Sequence, residues 1–230
     1  MTEPTKPWHC SIFSDNVYRL SAFTVDNETV NFVRLDGRKA KIDEDEMKQY
    51  NIAVLIGSLR KDSFNKKLAE GLSKLAPAEF TFKQIEIGDL PLYNQDDETS
   101  PAPSVTRLKE DITNADGLLF VTPEYNRSVP AVLKNALDHA SRPYGESVWN
   151  GKPAAVIGAS IGPSGAAMAQ QHLRNILACL NVPTMGQPEG YITVSNGLFG
   201  DNGEIGSASR DFFQGWVDTY AAWIKKFASA

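Results

Sequence analysis

The sequence predicts a doubly wound α/β fold, a five-stranded parallel sheet in the order 2-1-3-4-5 with helices on both faces. Three observations predict it. From about Tyr50 onward, short apolar runs alternate with segments whose apolar residues recur at helical spacing. The runs are nearly continuous in apolar residues, as strands covered on both faces require. The first run ends at Gly57, in a loop rich in hydrogen-bonding groups that leads straight into a helix. Open α/β sheets bind ligands at such carboxyl ends.

The elements follow in order. Residues 1–46 differ from the rest and form an N-terminal extension, while 47–230 form the sheet domain. Within the extension, Val17 to Val25 and Thr29 to Leu35 are rich in β-branched and aromatic residues, with Asp26-Asn27-Glu28 between them. This reads as a short hairpin. A lone hairpin is marginal in water, so it is expected to pack on the main domain, pair with another subunit or stay disordered. An acidic run, Asp43 to Glu46, separates it from the sheet, and Met47 stands just before the first strand. One expectation is that Met47 is the natural start and the leading segment an over-called reading frame, which the N-terminal mass of natively expressed protein would settle.

The expected strands are Ile52 to Ile56, Phe80 to Ile87, Leu118 to Thr122, Ala154 to Ala159 and a weaker one near Pro183 to Met185. Between them, Val105, Leu108, Ile112 and Ala115 share a helical face. So do Val129, Val132, Leu133, Ala136, Leu137 and Ala140, with Pro130 early enough for a first turn. Ala169, Leu173, Ile176, Leu177 and Leu180 form a third face. The last helix, about 207–228, carries Phe212, Phe213, Trp216, Tyr220, Trp223 and Phe227, a stripe that reads as core rather than as a cofactor wall.

Composition excludes several functions. The chain has 230 residues and a net charge of -5, which argues against nucleic acid as a partner. No apolar stretch reaches the roughly 20 residues that cross a bilayer, and no signal-peptide order opens the chain. Cys10 and Cys179 have no metal spacing and read as reduced thiols of a cytoplasmic protein. His9, His139 and His172 likewise suggest neither a metal site nor a nucleophile pair, so no metal is expected.

The chemistry concentrates in three loops. Gly57-Ser58-Leu59-Arg60 offers a hydroxyl, an arginine and the donors of a fresh helix start, which together suit a phosphate. Several phosphate loops are excluded here. Neither G-x-G-x-x-G nor G-x-x-x-x-G-K-[ST] is present, no cysteine nucleophile opens the loop, and no acidic cluster ends the strand. What remains is a loop that binds a phosphate without breaking it. The second loop, Thr122 to Pro130, lies across the switch crevice and offers backbone donors and Tyr125 to a planar ring; alone it would read as an ordinary strand-to-helix turn. In the third, Ala159 to Gly165, glycines either let a backbone approach a ligand or merely turn the chain.

Together, four segments resemble the NADPH-dependent FMN reductase family, a flavodoxin-like group that includes bacterial quinone, chromate and azo-compound reductases. They are Gly57 to Asn65, Leu90-Pro91-Leu92-Tyr93, Pro123 to Pro130 and Leu133 to Asp138. The segment Gln170 to Leu177 is similar to the chromate and quinone reductases in particular, and the resemblance runs in order from about Tyr50 to Phe227. It implies FMN as cofactor, with Ser58, Arg60, Ser63, Phe64 and Asn65 at its phosphate and ribityl chain. Pro123, Glu124, Tyr125 and Asn126 would line the ring, and Ser160 and Gly162 its pyrimidine side or ribityl. Glu124 would shape its loop rather than act as an acid, and no catalytic side chain is implied, because the cofactor carries the chemistry. The implied activity moves a hydride from NADPH or NADH to FMN and then two electrons to a quinone or similar small-molecule electrophile. A homodimer or homotetramer is also implied, with Tyr93 near a neighbouring site. The rival readings are a flavodoxin-type carrier of single electrons and a non-catalytic FMN- or nucleotide-sensing module. Arg127 and Lys134 read either as contacts for a nicotinamide phosphate or as a solvated face.

Overall fold

The protein is described by a computed structural model that covers residues 20–26, 29–34, 39–40, 48–200 and 202–228. His9, Cys10, residues 17–19, Asn27, Glu28, Leu35, Asp43 to Glu46 and Met47, on which the sequence raises expectations, lie outside that set. The chain divides into two compact units after Lys48. In the first, β1 (Leu20–Asp26), β2 (Thr29–Arg34) and β3 (Lys39–Ala40) form an antiparallel sheet in that order. Asp26 pairs with Thr29, and Leu20 with Arg34.

In the second unit the strands are β4 (Tyr50–Ile56), β5 (Phe80–Gln84), β6 (Gly117–Val121), β7 (Ala154–Ser160) and β8 (Gly190–Thr193). They pair in the order β5-β4-β6-β7-β8, all parallel. Counted within the unit, this is the expected 2-1-3-4-5. The helices are α1 (Phe64–Ser73), α2 (Pro103–Thr113), α3 (Ala131–Ala140), α4 (Ala167–Cys179) and α5 (Arg210–Ala228).

Period-two alternation along buried strands sends side chains to opposite faces. Ile52, Val54, Ile56, Leu119, Val121 and Ile157 meet Leu68 and Leu72 of α1 and Phe213, Trp216 and Tyr220 of α5. Ala53, Leu55, Leu118, Phe120 and Val156 meet Leu108 of α2, Leu133 and Leu137 of α3, and Leu173 and Leu177 of α4. The aromatic stripe of α5 is therefore mostly core: Phe213, Trp216 and Tyr220 are buried, and Phe212 is the exposed member.

The fifth strand corrects the sequence reading. Near Pro183 to Met185 the chain makes a single bridge, Thr184 to Ala154, whereas the strand itself is Gly190–Thr193. Gly190 opens that strand. It is required because a Cβ there would run into the side chain of Ile157 on the neighbouring strand. The second strand also stops earlier than Ile87, at Gln84, although the Ile85 amide still donates to the Val54 carbonyl at 2.9 Å.

Candidate functional site

The strand order reverses between β4 and β6, and their carboxyl ends approach closely. Gly57 keeps an ordinary backbone conformation. A Cβ there would lie 3.0 Å from the Thr122 hydroxyl and 3.2 Å from Pro123 Cδ, so the glycine serves the crossing rather than a turn. The Gly57 amide donates to the Val121 carbonyl at 2.9 Å, tying the two strand ends together. Gly158 is needed for a like reason, since a side chain there would strike the Thr122 carbonyl.

Above this junction lies a pocket of about 240 Å³ lined by the three loops that follow β4, β6 and β7. Ser58, Arg60, Ser63, Phe64 and Asn65 form one wall, Pro123, Glu124 and Tyr125 the second, and Ala159, Ser160 and Ile161 the third. Nine of the eleven residues expected at the site thus converge. Asn126 and Gly162 do not line the pocket. Asn126 sits exposed at the tip of its turn, and the Gly162 amide donates to the Ser160 hydroxyl at 3.1 Å. Ala159 and Ile161 line the wall without having been singled out, although both fall inside the third loop.

The first wall is built around a helix start. Ser63 caps α1, accepting from the Lys66 amide at 3.3 Å. The amides of Phe64 and Asn65 have no acceptor among the described residues, as expected for the first turn of a helix. The Ser58 hydroxyl accepts from the Arg60 amide at 3.4 Å, which curls the loop. Arg60 is exposed and has no ion-pair partner among the described residues. Two amides and a guanidinium without partners among the described residues, together with two hydroxyls, gather at one end of the pocket, a donor set of the kind that suits an anion.

Asn65, which lines the pocket, is also tied across the sheet. Its amide nitrogen donates to the Ala159 carbonyl and its amide oxygen accepts from the Ala159 amide, both at 2.9 Å and buried. The side chain locks α1 to the end of β7.

Glu124 also works over a distance. One carboxylate oxygen accepts from the amides of Met168 and Ala169 at 3.0 and 3.3 Å, in the first turn of α4. The cap residue of that helix, Ala166, has φ 65° and no capping side chain, so Glu124 supplies the missing cap from another loop. Ser128 adds a second tie to α4 through its hydroxyl, 3.0 Å from His172 Nδ1. Glu124→Ala is expected to lower stability by about 1 kcal/mol, the usual worth of a helix cap, read as a drop in the thermal midpoint. An unchanged midpoint would show that α4 does not need this carboxylate.

Tyr93 lies elsewhere. It borders a separate cleft, where its hydroxyl donates to Glu98 at 2.6 Å and its ring meets His139 edge-on at 5.5 Å. That hydroxyl, followed by Arg142, holds the Glu98 carboxyl below the usual carboxylate range.

The family model for NADPH-dependent FMN reductases matches residues 50–197. A 2-hydroxy-1,4-benzoquinone reductase of a Burkholderia species is 55% identical over 176 residues, spanning 76% of this chain and 96% of its own. A quinone reductase of Pseudomonas putida is 49% identical over 177 residues, with 76% and 95% covered. Among solved structures, the flavoenzyme NAD(P)H:(acceptor) oxidoreductase FerB of Paracoccus denitrificans superposes with a TM-score of 0.75 at 46% identity, covering 77% of this chain and 98% of that one. Sequence and fold agree across the whole sheet unit, and the chain belongs to the NADPH-dependent FMN reductase family.

Proposed function

We propose that the pocket holds FMN by its phosphate-bearing tail and that the chain is an NAD(P)H-dependent oxidoreductase acting on quinones or similar small electrophiles. The observation that carries this is the donor set at one end of the pocket: an Arg60 with no ion pair among the described residues, beside the open amides of α1. An anionic tail fits that donor set, and no side chain of the lining competes for it with an ion pair to Arg60.

Each wall then has a task. Arg60, Ser58 and Ser63 bind the phosphate, and Phe64 and Asn65 offer it their amides. The Asn65 side chain keeps α1 at a fixed distance from Ser160 by gripping Ala159. Pro123, Glu124 and Tyr125 present backbone to the edge of a planar ring, with the loop held in place by the Glu124 cap on α4. Tyr125, 47% exposed, flanks the open side where donor and acceptor arrive in turn. FMN, when bound, supplies the redox chemistry, taking a hydride from the nicotinamide and passing two electrons to the acceptor. Asn126 and Gly162 shape the second and third loops from behind.

The first acceptor to test is a hydroxylated or plain benzoquinone, after the relatives' activities. The experiment is steady-state oxidation of NADPH and of NADH with 2-hydroxy-1,4-benzoquinone and no added protein partner. Turnover is expected with the purified chain alone. A requirement for a protein acceptor would instead favour a flavodoxin-type electron carrier.

Two further readings belong to the same proposal. The reaction takes place in the cytoplasm, where reduced nicotinamide dinucleotides are held; among the described residues no helix is long and apolar enough to cross a membrane. The chain works as a homodimer or homotetramer. Leu92 and Tyr144, 84% and 92% exposed, are large side chains that a second copy would cover. Light scattering on the holoenzyme measures the subunit number.

A further inference from the structure

The second loop closes as a two-residue hairpin. The amide of Tyr125 donates to the Ser128 carbonyl at 3.1 Å, and the amide of Ser128 returns to the Tyr125 carbonyl at 3.0 Å. Between them Asn126 and Arg127 have φ of 49° and 64°. A turn with both central residues left-handed ordinarily has asparagine first and glycine second. Asparagine is present, but the second place holds arginine, whose Cβ makes this conformation unfavourable. Strain retained at a pocket rim points to a use for the side chain.

The surroundings indicate that use. Arg127 is 75% exposed, and its Nη1 lies 3.7 Å from the second oxygen of Glu124, a carboxylate only 8% exposed. The other Glu124 oxygen is committed to the amides that open α4. Glu124 therefore steers the guanidinium without saturating it, leaving most of its five N–H donors open to solvent. Lys134, the other cation considered from the sequence, is paired with Asp138, its Nζ 2.8 Å from both carboxylate oxygens. Ser128 and His172 add a hydroxyl and an imidazole beside the turn. The two loops that wall the pocket thus each carry an exposed arginine: Arg60 after β4, which lines it, and Arg127 after β6, two residues beyond the lining Tyr125.

We propose that Arg127 is a specificity-determining residue that binds a phosphate group of the nicotinamide donor, leaving Arg60 to the phosphate of FMN. This rests on the reading of the pocket as a flavin site served by NAD(P)H. Two phosphate-bearing ligands must meet there at once, and a single cation cannot hold both.

The test uses the holoenzyme and Arg127→Gly, a change that gives the turn its preferred residue and so preserves the fold. The variant is expected to keep its FMN and melt no lower than the parent, while its KM for NADPH rises about tenfold, as loss of one charge-assisted phosphate contact implies. Arg127→Lys, which keeps the charge but not the fork, is expected to fall between. Calorimetric titration with adenosine 2′,5′-bisphosphate and with adenosine 5′-monophosphate reads binding without turnover. Loss confined to NADPH and the bisphosphate assigns the 2′-phosphate; equal loss for NADH and the monophosphate assigns the pyrophosphate side. Unchanged KM and unchanged titrations, with FMN in place, overturn the proposal and leave the flavin reading standing. A parent protein that holds no FMN removes that reading itself.

Discussion

Asn65→Ala is expected to lower the unfolding free energy by about 2–5 kcal/mol, the largest single effect predicted for this chain. The side chain makes two buried bonds of 2.9 Å to the backbone of one residue, Ala159, at the last covered part of β7. Alanine removes both and strands a buried amide and a buried carbonyl, each costing about 1–3 kcal/mol when left without a partner. Asn65→Asp retains one acceptor but loses the donor and adds a charge in a position 3% exposed, so it is expected to do no better. Urea unfolding of the FMN-free protein measures the loss directly. Because Ala159 and Ser160 line the pocket, FMN affinity is expected to fall alongside stability. A loss under 1 kcal/mol would mean that water replaces the side chain and that the lock matters little.

Arg60→Ala is expected to behave in the opposite way, sparing stability and damaging the site. Arg60 is exposed and has no ion pair among the described residues, so its removal is expected to move the unfolding free energy by under about 0.5 kcal/mol. Its contact with a phosphate is charge-assisted, worth about 1.5–3 kcal/mol, which corresponds to a roughly 10- to 150-fold rise in the FMN dissociation constant. Arg60→Lys is expected to recover part of this, since lysine meets a phosphate as a point charge without the fork. Raising ionic strength should weaken FMN binding in the parent more than in Arg60→Ala, because the contact is open to solvent. Quenching of FMN fluorescence on titration gives the constants. Wild-type affinity in Arg60→Ala would place the anchor on the helix amides alone.

These two residues mark how far the sequence could be read. Arg60 sits where a buried strand gives way to a helix, and both the strand and the helix announce themselves by local apolar spacing. Its position relative to a ligand is therefore legible from neighbours alone. Asn65 stands only five residues further on, yet its side chain answers to Ala159, 94 positions away. Glu124 likewise answers to α4, 44 positions away. No local pattern encodes such partners, so the helix start was legible and the locks were not. The fifth strand failed for a related reason. Gly190 opens the strand because Ile157 leaves no room there for a Cβ, and Pro183 to Met185 looks like a strand although it makes only one bridge. The three inner strands, β4, β6 and β7, were legible because burial on both faces leaves long apolar runs. At the site, nine of the residues singled out in the sequence line the pocket, and Asn126 and Gly162 fall in the same loops just outside that lining. The left-handed Arg127 was invisible, since arginine carries no preference for that conformation.

The measurement that bears most directly on the account is the equilibrium binding of FMN to the purified full chain, followed by its visible spectrum and by calorimetry. One FMN per chain, with an affinity that collapses in Arg60→Ala while the melting temperature stays put, is the predicted result. A chain that stays colourless on purification and shows no heat of binding with added FMN would contradict it.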